Sequence, residues 1–187
     1  MEYSDLIEDG RSVSCIIHTD NLYDMNLLRR IILSELETYA IDYVVFHINK
    51  TARFDEELAL RFGLLVIDHS QYIHSDIKHS LHVKGPCMVT TDHIKTIPFS
   101  HTTPIIYLNK FEELCLDFYI QEGKGYEHMK WKPVGLCSFT KMEKNFLLTF
   151  KSIDMMAPKE IIEKAIEKMD YMRDKAEKET DIFFKMT

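Results

Sequence analysis

The sequence has few cysteines, and none of them form the close pairs that metal sites and small disulfide-rich folds use. The four cysteines of this 187-residue chain are far apart, at Cys15, Cys87, Cys115 and Cys137. Three of them lie in apolar, strand-like surroundings, which favours reduced thiols in a protein core. The sequence therefore predicts neither a disulfide framework nor a cysteine-ligated metal.

Long apolar runs are also missing from the sequence. No segment approaches the roughly 18 uninterrupted apolar residues that identify a membrane-spanning helix. Residues 1–11 are acidic and polar, without the basic start and apolar run of a targeting segment. We therefore expect no membrane partner.

Positive charge is scarce. The chain has 23 lysines and arginines against 30 acidic residues, for a formal net charge of −7. Lysine and arginine supply most of the non-specific affinity of proteins for nucleic acid. We therefore expect this protein to meet DNA or RNA only indirectly, through a complex.

Catalytic motifs and interdomain linkers are absent as well. No Ser/His/Asp or Cys/His arrangement can be assembled from the sequence. The acidic residues Asp55, Glu56 and Glu57 are explained by their place at the start of a helix, where carboxylates favour the helix dipole. No repeat, low-complexity tract or Gly/Ser-rich linker is present. With 45% hydrophobic residues, the sequence predicts a globular protein without catalytic residues.

The segments that are present mix helical and strand-like patterns. Helices are predicted over residues 20–42, capped by Asp20 or Asn21, then from Asp55 as N-cap to Gly63 as left-handed C-terminal residue, and after Pro158. Strands are predicted over residues 11–20, 43–49, 104–108, 114–121, 135–142 and 145–153. Residues 68–104 are predicted to be irregular, with one or two short strands around residues 87–91. The pattern favours an α+β fold whose first and last segments form one layer around an inserted middle.

Two of these helices have more apolar surface than a small domain can cover with its own sheet. The first helix combines Met25, Leu28, Ile32 and Leu36 with Leu27, Ile31 and Leu33. The last combines Ile162, Ile166, Met169 and Ala176 with Ile161, Ala165 and Met172. This excess predicts that each helix packs against a partner helix.

Residues 123–133, GKGYEHMKWKP, combine two glycines, three lysines, a histidine and the only tryptophan of the chain. The GKG segment lacks the glycine spacing of a phosphate loop and is not followed by Ser or Thr and a helix. Trp131 is either a core residue or part of an interface. The cationic and aromatic composition favours a protein-binding loop. Arg29 and Arg30, inside the most apolar helix, either face solvent or anchor a protein partner.

Histidines are concentrated between residues 69 and 82. The set is His69, His74, His79 and His82, with Cys87 beyond it. A zinc site needs four converging ligands, and only His79 and His82 have a useful spacing. Solvated loop histidines are the simpler interpretation. The alternative function is a metal-dependent nucleic-acid-binding or regulatory module built on His69–His82, and a third is a small nucleotide-binding enzyme built around GKG.

Three segments, taken in order, resemble one protein family. They are NLLRRIILSELETYAID (residues 26–42), DEELALRFGLL (residues 55–65) and GKGYEHMKWKP. They are similar to the N-x-L-R-R, D-E-x-x-A-x-R-x-G-L and G-x-G-x-x-H-A-K-W-x-P patterns of the alpha-like subunits of multisubunit DNA-directed RNA polymerases. That family includes the bacterial alpha N-terminal domain, the archaeal D subunit and the third-largest subunit of eukaryotic polymerase II. The resemblance covers about residues 13–178.

The sequence departs from the family patterns at three positions and in one cluster. Leu60 stands where the family commonly has histidine, Met129 replaces the usual alanine, and Lys132 replaces a small residue. The cysteine cluster that binds zinc or an iron–sulfur cluster in many relatives is missing, so the resemblance implies no cofactor.

The resemblance implies a dimerisation domain of antiparallel strands and two long helices, residues 1–42 and 137–187, interrupted by an inserted α+β lobe at residues 43–136. It implies a non-catalytic assembly platform that pairs with a smaller alpha-like subunit and docks the second-largest catalytic subunit, with small zinc-binding polymerase subunits as further neighbours. The implied contacts of the second-largest subunit are Asn26, Arg29, Arg30, Gly123, Lys124, Gly125, His128, Lys130 and Trp131. The implied dimerisation residues are Leu28, Ile31, Ile32, Leu36, Ile162, Ile166 and Met169.

The chain is short for a cellular member of this family. This length suggests a reduced version encoded by a large DNA virus or a cytoplasmic plasmid. Such a protein is expected in the cytoplasm or the virion, and a cellular member in the nucleus.

Overall fold

The computed structural model describes the backbone of residues 1–72 and 78–186, and the side chains of residues 1–72 and 78–178. It confirms the α+β fold. The chain forms two compact units, each of which we describe separately. Unit 1 comprises Met1–Leu36 and Lys132–Thr187, and unit 2 comprises Glu37–Trp131.

The secondary structure of the described residues consists mainly of antiparallel strands. The strands are β1 (Glu2–Asp9), β2 (Ser12–His18), β3 (Glu37–Asn49), β4 (His79–Lys84), β5 (Cys87–Thr90), β6 (Pro104–Leu108), β7 (Glu113–Lys124), β8 (Val134–Lys141) and β9 (Phe146–Ser152). The helices are α1 (Leu22–Ser34), α2 (Asp55–Gly63) and α3 (Pro158–Met186). Short 3-10 turns occupy Thr91–His93 and Met129–Trp131. The domain boundaries predicted after residues 42 and 136 fall inside β3 and β8.

Unit 1 contains a four-stranded antiparallel sheet of order β1-β2-β9-β8. Successive side chains of a strand point to opposite faces, and in β2 the buried ones are Val13, Cys15 and Ile17. Strand β1 was not predicted from the sequence, because this edge strand, which pairs with β2, is mostly polar. The chain turns from β1 to β2 at Gly10, whose φ of 58° suits glycine.

Helices α1 and α3 cover the apolar face of this sheet. The side chain of Asn21 caps α1 by accepting a hydrogen bond from the backbone N–H of Tyr23 (2.9 Å). The helix ends at Ser34, so its prediction to residue 42 was wrong; residues 37–42 belong to β3, where Thr38 and Ala40 are buried at strand spacing. Helix α3 begins at Pro158, as predicted. No helix in the described ranges is long and apolar enough to cross a membrane.

Unit 2 contains a three-stranded antiparallel sheet of order β3-β7-β4 and a two-stranded sheet of β5 and β6. Helix α2 buries Leu58 and Phe62 in the core of this unit, and Phe62 packs against Phe118 of β7 with ring centroids 4.9 Å apart. Strand β4 was not predicted, since the sequence of residues 79–84 places polar side chains on both faces.

The predicted caps of α2 were each wrong by one residue. Phe54 is the N-cap and provides no side-chain hydrogen bond, while the carboxylate of Asp55 accepts one from Asn49 (2.6 Å). Gly63 is not left-handed, and Leu64 closes the helix through backbone bonds. The sequence located the helix correctly but not the contacts that begin and end it.

Candidate partner-binding surfaces

The residues implied as dimerisation contacts lie mostly inside unit 1. Six of the seven belong to its buried core: Leu28, Ile31, Ile32, Leu36, Ile162 and Met169. They form the core beneath the helices, where at most 4% of the surface of each residue is exposed. Their assignment as direct dimerisation contacts stays a prediction. Only Ile166 remains partly exposed.

The excess apolar surface of each long helix has its partner within the same unit. Helix α1 packs against α3, and both contribute to one core with the sheet. An ion pair between Asp24 and Arg173 also joins the two helices. The sequence could show that each helix needs a neighbour, but not that the two helices are neighbours of each other.

Some apolar side chains of these helices stay accessible. Leu27, Leu33 and Ile166 are partly buried at the margin of the core, while Tyr23 and Tyr171 are exposed. They are among the side chains of α1 and α3 that a protein partner can reach in the folded chain.

Asn26, Arg29 and Arg30 lie together on α1 in unit 1. Arg29 donates two hydrogen bonds from its guanidinium to the side-chain oxygen of Asn26, at 3.3 and 2.9 Å. This local bond holds Arg29 along the helix. Arg30 is exposed and presents a second guanidinium to solvent.

Trp131 is a packed residue of unit 2. Only 8% of its surface is exposed. Its indole N–H donates to the backbone oxygen of Gln121 (3.2 Å), and its own backbone oxygen accepts from the hydroxyl of Thr38 (2.7 Å). The ring lies so close to Gly123 that a Cβ atom there would be 2.4 Å from two ring carbons. The structure therefore supports the core interpretation of Trp131.

The lysines of the 123–131 loop are engaged within unit 2. Lys130 has 11% of its side chain exposed; its Nζ lies 2.7 Å from the carboxylate of Asp42 and 4.3 Å from the centroid of the Trp131 ring. Lys124 forms an ion pair with Glu37 (3.2 Å). These cations fix the loop to β3.

The exposed tip of the loop consists of residues 126–129. Tyr126 and Met129 are 61% and 65% exposed. Lys124 accepts backbone hydrogen bonds from Glu127 (3.0 Å) and His128 (3.4 Å), which close the turn. The ring Nδ1 of His128 accepts from the backbone N–H of Lys130 (3.1 Å), so its Nε2 is the nitrogen left for other contacts. His128 was among the contacts implied by the sequence, whereas Tyr126 and Met129 were not, because side-chain exposure within a tight turn has no sequence period.

The loop does not have the form of a phosphate-binding site. Gly123 and Gly125 are buried, and Gly123 is covered by the Trp131 ring. The segment continues into the 3-10 turn Met129–Trp131, where a phosphate loop continues into an α-helix. The geometry thus removes the basis of the nucleotide-binding interpretation.

The histidines of the alternative metal site do not converge. Residues three apart on a strand point to opposite faces. His79 is buried and bonds to Thr96 (2.9 Å), whereas His82 is exposed and bonds to Glu113 (2.9 Å). Burial lowers the pKa of His79. His69 stacks on another aromatic ring, and His74 lies outside the described residues.

No three His, Cys, Asp or Glu residues in the described part of the chain are arranged to hold a metal ion. The four cysteines are free, and burial raises the thiol pKa of Cys15 to about 11 and of Cys137 to about 12. These two thiols are therefore protonated core groups at neutral pH.

Two carboxylates on the outer face of the β3-β7-β4 sheet hold its strands together. Asp117 and Glu113 each have three donors. The donors are Ser80 (2.6 Å), His47 (2.6 Å) and Lys78 (3.2 Å) for Asp117, and Lys50 (2.8 Å), His82 (2.9 Å) and Lys84 (3.2 Å) for Glu113. These hydrogen bonds lower the pKa of both carboxyl groups to about 2, led by Ser80 for Asp117 and by Lys50 for Glu113. Sequence reasoning did not find this network, since its members are separated along the chain.

Comparison with known proteins identifies the family. Residues 25–171 match the model of the RNA polymerase Rpb3/Rpb11 dimerisation domain. Because this match covers most of the chain, the protein belongs to that family of alpha-like RNA polymerase subunits. The resemblance drawn from the three sequence segments is thereby confirmed.

The similar proteins include archaeal polymerase subunits named DNA-directed RNA polymerase subunit Rpo3. Identity to the Thermococcus kodakarensis protein is 31% over 147 residues, covering 71% of this chain and 57% of the relative. Identity to the Pyrococcus horikoshii protein is 30% over 136 residues, covering 65% of this chain and 52% of the relative. Identity to the Methanocaldococcus jannaschii protein is 29% over 157 residues, covering 81% of this chain and 80% of the relative. The match thus spans little more than half the length of the first two relatives.

Proposed function

We propose that this chain is a non-catalytic assembly subunit of a DNA-directed RNA polymerase. It pairs with a smaller alpha-like subunit and docks the second-largest catalytic subunit. The observation that carries this proposal is the family match over residues 25–171, which includes most of α1, all of unit 2 and the first half of α3. The archaeal relatives are DNA-directed RNA polymerase subunits, which supports a place for this chain in such a complex.

Pairing with the smaller subunit uses unit 1 in this proposal. The family description names a dimerisation domain, and α1 and α3 retain apolar side chains at the margin of their core. Leu27, Leu33 and Ile166 are the contacts we assign. The six buried residues act indirectly, by holding the two helices in place.

Docking of the second-largest subunit uses the exposed tip of the 123–131 loop and the exposed side of α1. Tyr126 and Met129 offer the apolar contact, since buried aromatic and methionine side chains are enriched at interfaces. Arg30 offers a charged contact, and Trp131 supports the loop from inside unit 2.

Purification of the tagged chain from its native source tests the proposal as a whole. We expect the two large polymerase subunits and a smaller alpha-like subunit to copurify in stoichiometric amounts. Recovery of this chain alone would overturn the proposed function.

A double variant tests the loop tip. Tyr126→Ala with Met129→Ala removes two exposed side chains and leaves the packing of Trp131 intact. Since truncation of an interface hot spot costs about 2 kcal/mol or more, recovery of the second-largest subunit should fall at least about tenfold. Pairing with the smaller subunit should be unchanged. The matched control is Met88→Ala, a methionine of unit 2 that is also exposed but lies on β5. Equal recovery with both variants would exclude the loop tip.

A further inference from the structure

The β3-β7-β4 sheet of unit 2 has one face open to solvent. Leu116 and Phe118 of β7 point to the opposite face, where they are buried in the core with Phe62 of α2. Successive side chains of a strand alternate between the two faces, so Asp117 and Tyr119 lie on the open face. We call this side of the sheet, on which Asp117, Glu113 and Tyr119 of β7 lie, the outer sheet face.

The charge that reaches solvent on the outer sheet face is positive. Five basic side chains here are 48–67% exposed: Lys50, Lys78, Lys84, His47 and His82. Their acidic partners Glu113 and Asp117 lie beneath them, with 12% and 9% of their side chains exposed. A ligand that approaches this face therefore meets ammonium and imidazole groups before it meets a carboxylate.

The lysines of the outer sheet face keep hydrogen-bonding capacity for an anion. An ammonium group has three N–H donors, and Lys50, Lys78 and Lys84 each form one ion pair with Glu113 or Asp117. With neutral histidines, the three ammonium groups exceed the two carboxylates by one charge, and each protonated histidine adds another. The face is thus locally cationic within a chain whose formal net charge is −7.

Two stacked tyrosines lie at one end of this face. Tyr43 of β3 pairs with Tyr119 of β7, and their rings stack with centroids 4.4 Å apart and planes 8° from parallel. Tyr119 covers one side of the Tyr43 ring. Because β3 is an edge strand of the sheet and Tyr43 is 48% exposed, the other side of its ring remains open to a further planar group.

We propose that the outer sheet face binds single-stranded nucleic acid. A base extends the Tyr43–Tyr119 stack, and the phosphates of the same strand contact Lys78, Lys50 and Lys84. The six residues from Glu113 to Tyr119 span roughly 20 Å of β7, which is long enough for several nucleotides. The inference goes beyond the proposed function, because it gives this chain a direct contact with nucleic acid.

A single strand fits this combination of groups better than a duplex or an acidic peptide. Exposed aromatic rings beside a cationic surface are the two features with which proteins bind single strands, since every base has a face that can stack. A duplex keeps its base faces inside the helix, and an acidic peptide has no base for Tyr43. Asp42, the neighbour of Tyr43, is already paired with Lys130.

The acidic composition of the whole chain does not prevent this contact. At physiological ionic strength the interaction between exposed charges is largely screened beyond about 8 Å. The groups within that distance of a bound strand are those of the outer sheet face. Composition alone predicted only indirect contact with nucleic acid, because a total charge does not show how the charges are distributed.

Three labelled probes test the chemistry of this face by fluorescence anisotropy with the full chain. They are an oligouridylate of about 15 nucleotides, an abasic deoxyribose-phosphate strand of the same length, and a polyglutamate peptide of about 15 residues. We expect the oligouridylate to bind and the other two to bind at least about tenfold more weakly. For three lysine–phosphate contacts, log K should fall with log salt concentration with a slope of about −2. Equal binding of polyglutamate, or no binding of oligouridylate, would overturn the inference.

A charge-matched pair of variants locates the phosphate contacts. Lys50→Gln, Lys78→Gln and Lys84→Gln together remove three charges and keep an N–H donor for each carboxylate. Lys95→Gln, Lys141→Gln and Lys144→Gln remove three exposed lysines elsewhere. The first variant should bind oligouridylate at least about tenfold more weakly and lose the salt dependence, and the control should change by less than about twofold. Equal affinity of the two variants would contradict the assignment.

A pair of tyrosine variants tests the stacking contact independently of the lysines. Tyr43→Ala with Tyr119→Ala removes both rings of the stack, and Tyr107→Ala with Tyr126→Ala removes two exposed rings elsewhere in unit 2. The first variant should bind oligouridylate at least about fivefold more weakly, whereas its affinity for the abasic strand should be unchanged. Equal oligouridylate affinity of the two variants would exclude a base on Tyr43. Failure of the polymerase subunits to copurify would bear only on the proposed function.

Discussion

At position 123 the absence of a side chain determines where Trp131 can lie. The indole ring occupies the space that a Cβ atom would need, and the same ring bonds to Gln121 and contacts Lys130. The role of Gly123 in the GKG segment is therefore structural, since the missing side chain allows the Trp131 ring to pack against β7. A sequence motif that suggests an exposed binding loop is here partly a packing motif.

Replacing Gly123 with alanine tests this arrangement. The new Cβ would clash with the Trp131 ring at 2.4 Å, and overpacking of this kind costs about 1–3 kcal/mol. We expect a lower midpoint of urea denaturation. Gly63→Ala is the control in the same unit, because its Cβ would meet its nearest neighbour, the backbone oxygen of Ile41, at 3.5 Å. A Gly123→Ala midpoint equal to that of Gly63→Ala would show that the ring adapts.

The lowered pKa values of Glu113 and Asp117 predict how the stability of the fold depends on pH. Their pKa of about 2 in the folded chain is below the roughly 4 of an unfolded chain. A lowered folded pKa stabilises the fold above the unfolded pKa, and this stabilisation is lost as pH falls through the folded pKa. The unaltered chain should therefore lose stability between about pH 4 and pH 2.

Neutral variants should flatten that acid profile. In Glu113→Gln and Asp117→Asn, denaturation midpoints should change less over this window than in the unaltered chain. Glu8→Gln, an exposed carboxylate of β1, should keep the original profile. If all three variants follow the same profile, the network does not control acid stability.

Among the secondary-structure elements, helix α1 allows its two candidate N-cap residues to be compared directly. The sequence left Asp20 and Asn21 as alternatives, and in the structure Asn21 accepts the bond from Tyr23. Loss of an N-cap typically costs about 1 kcal/mol. Asn21→Ala should lower the free energy of unfolding by about this amount, whereas Asp20→Ala should have little effect. The opposite order, measured by urea denaturation, would make Asp20 the cap.

The sequence predicted most elements where hydrophobic spacing is regular. Strands β2, β6, β7, β8 and β9 and the start of α3 were found, since each combines apolar periodicity with a clear boundary. The end of α1 was not found, because Leu36 continues the helical stripe while Thr38 and Ala40 already follow a strand. At this point pairing of β3 with β7 overrides the local pattern.

The binding surfaces were harder to predict than the elements. Composition identified the 123–131 loop but did not separate its packed residues, Trp131 and Lys130, from its exposed ones, Tyr126 and Met129. That separation depends on contacts with Thr38 and Asp42 of β3, which are far from the loop in sequence, and with Gln121 of β7.

For the whole molecule, substitutions of two isoleucines distinguish an effect on folding from an effect on assembly. Ile32 has no exposed surface, so Ile32→Asp places an unpaired carboxylate in the core, at a cost of several kcal/mol, and unit 1 should unfold. Ile166 is partly exposed, so Ile166→Asp should stay folded and lose the smaller subunit. Circular dichroism and copurification measure the two effects.

Leu136→Asp is the control for this pair. Leu136 is exposed on β8 in unit 1 and lies opposite the exposed Lys151 of β9, so its replacement should leave both folding and pairing intact. Normal pairing of the Ile166 variant would contradict the contact that we assign to α3.

An early strand and a late strand of the chain pair in one sheet, and this has a consequence for synthesis on the ribosome. Strand β2 pairs with β9, so Val13 can pair with Phe150 only after the ribosome has made residue 150. At about 5–20 residues per second, translation of the intervening segment takes on the order of 7–30 seconds. The strands and helix of unit 2 are all made within that interval, so unit 2 can fold while β2 and α1 are still uncovered. The segments that leave the ribosome first are thus among the last to be buried, and they are the natural targets for a chaperone.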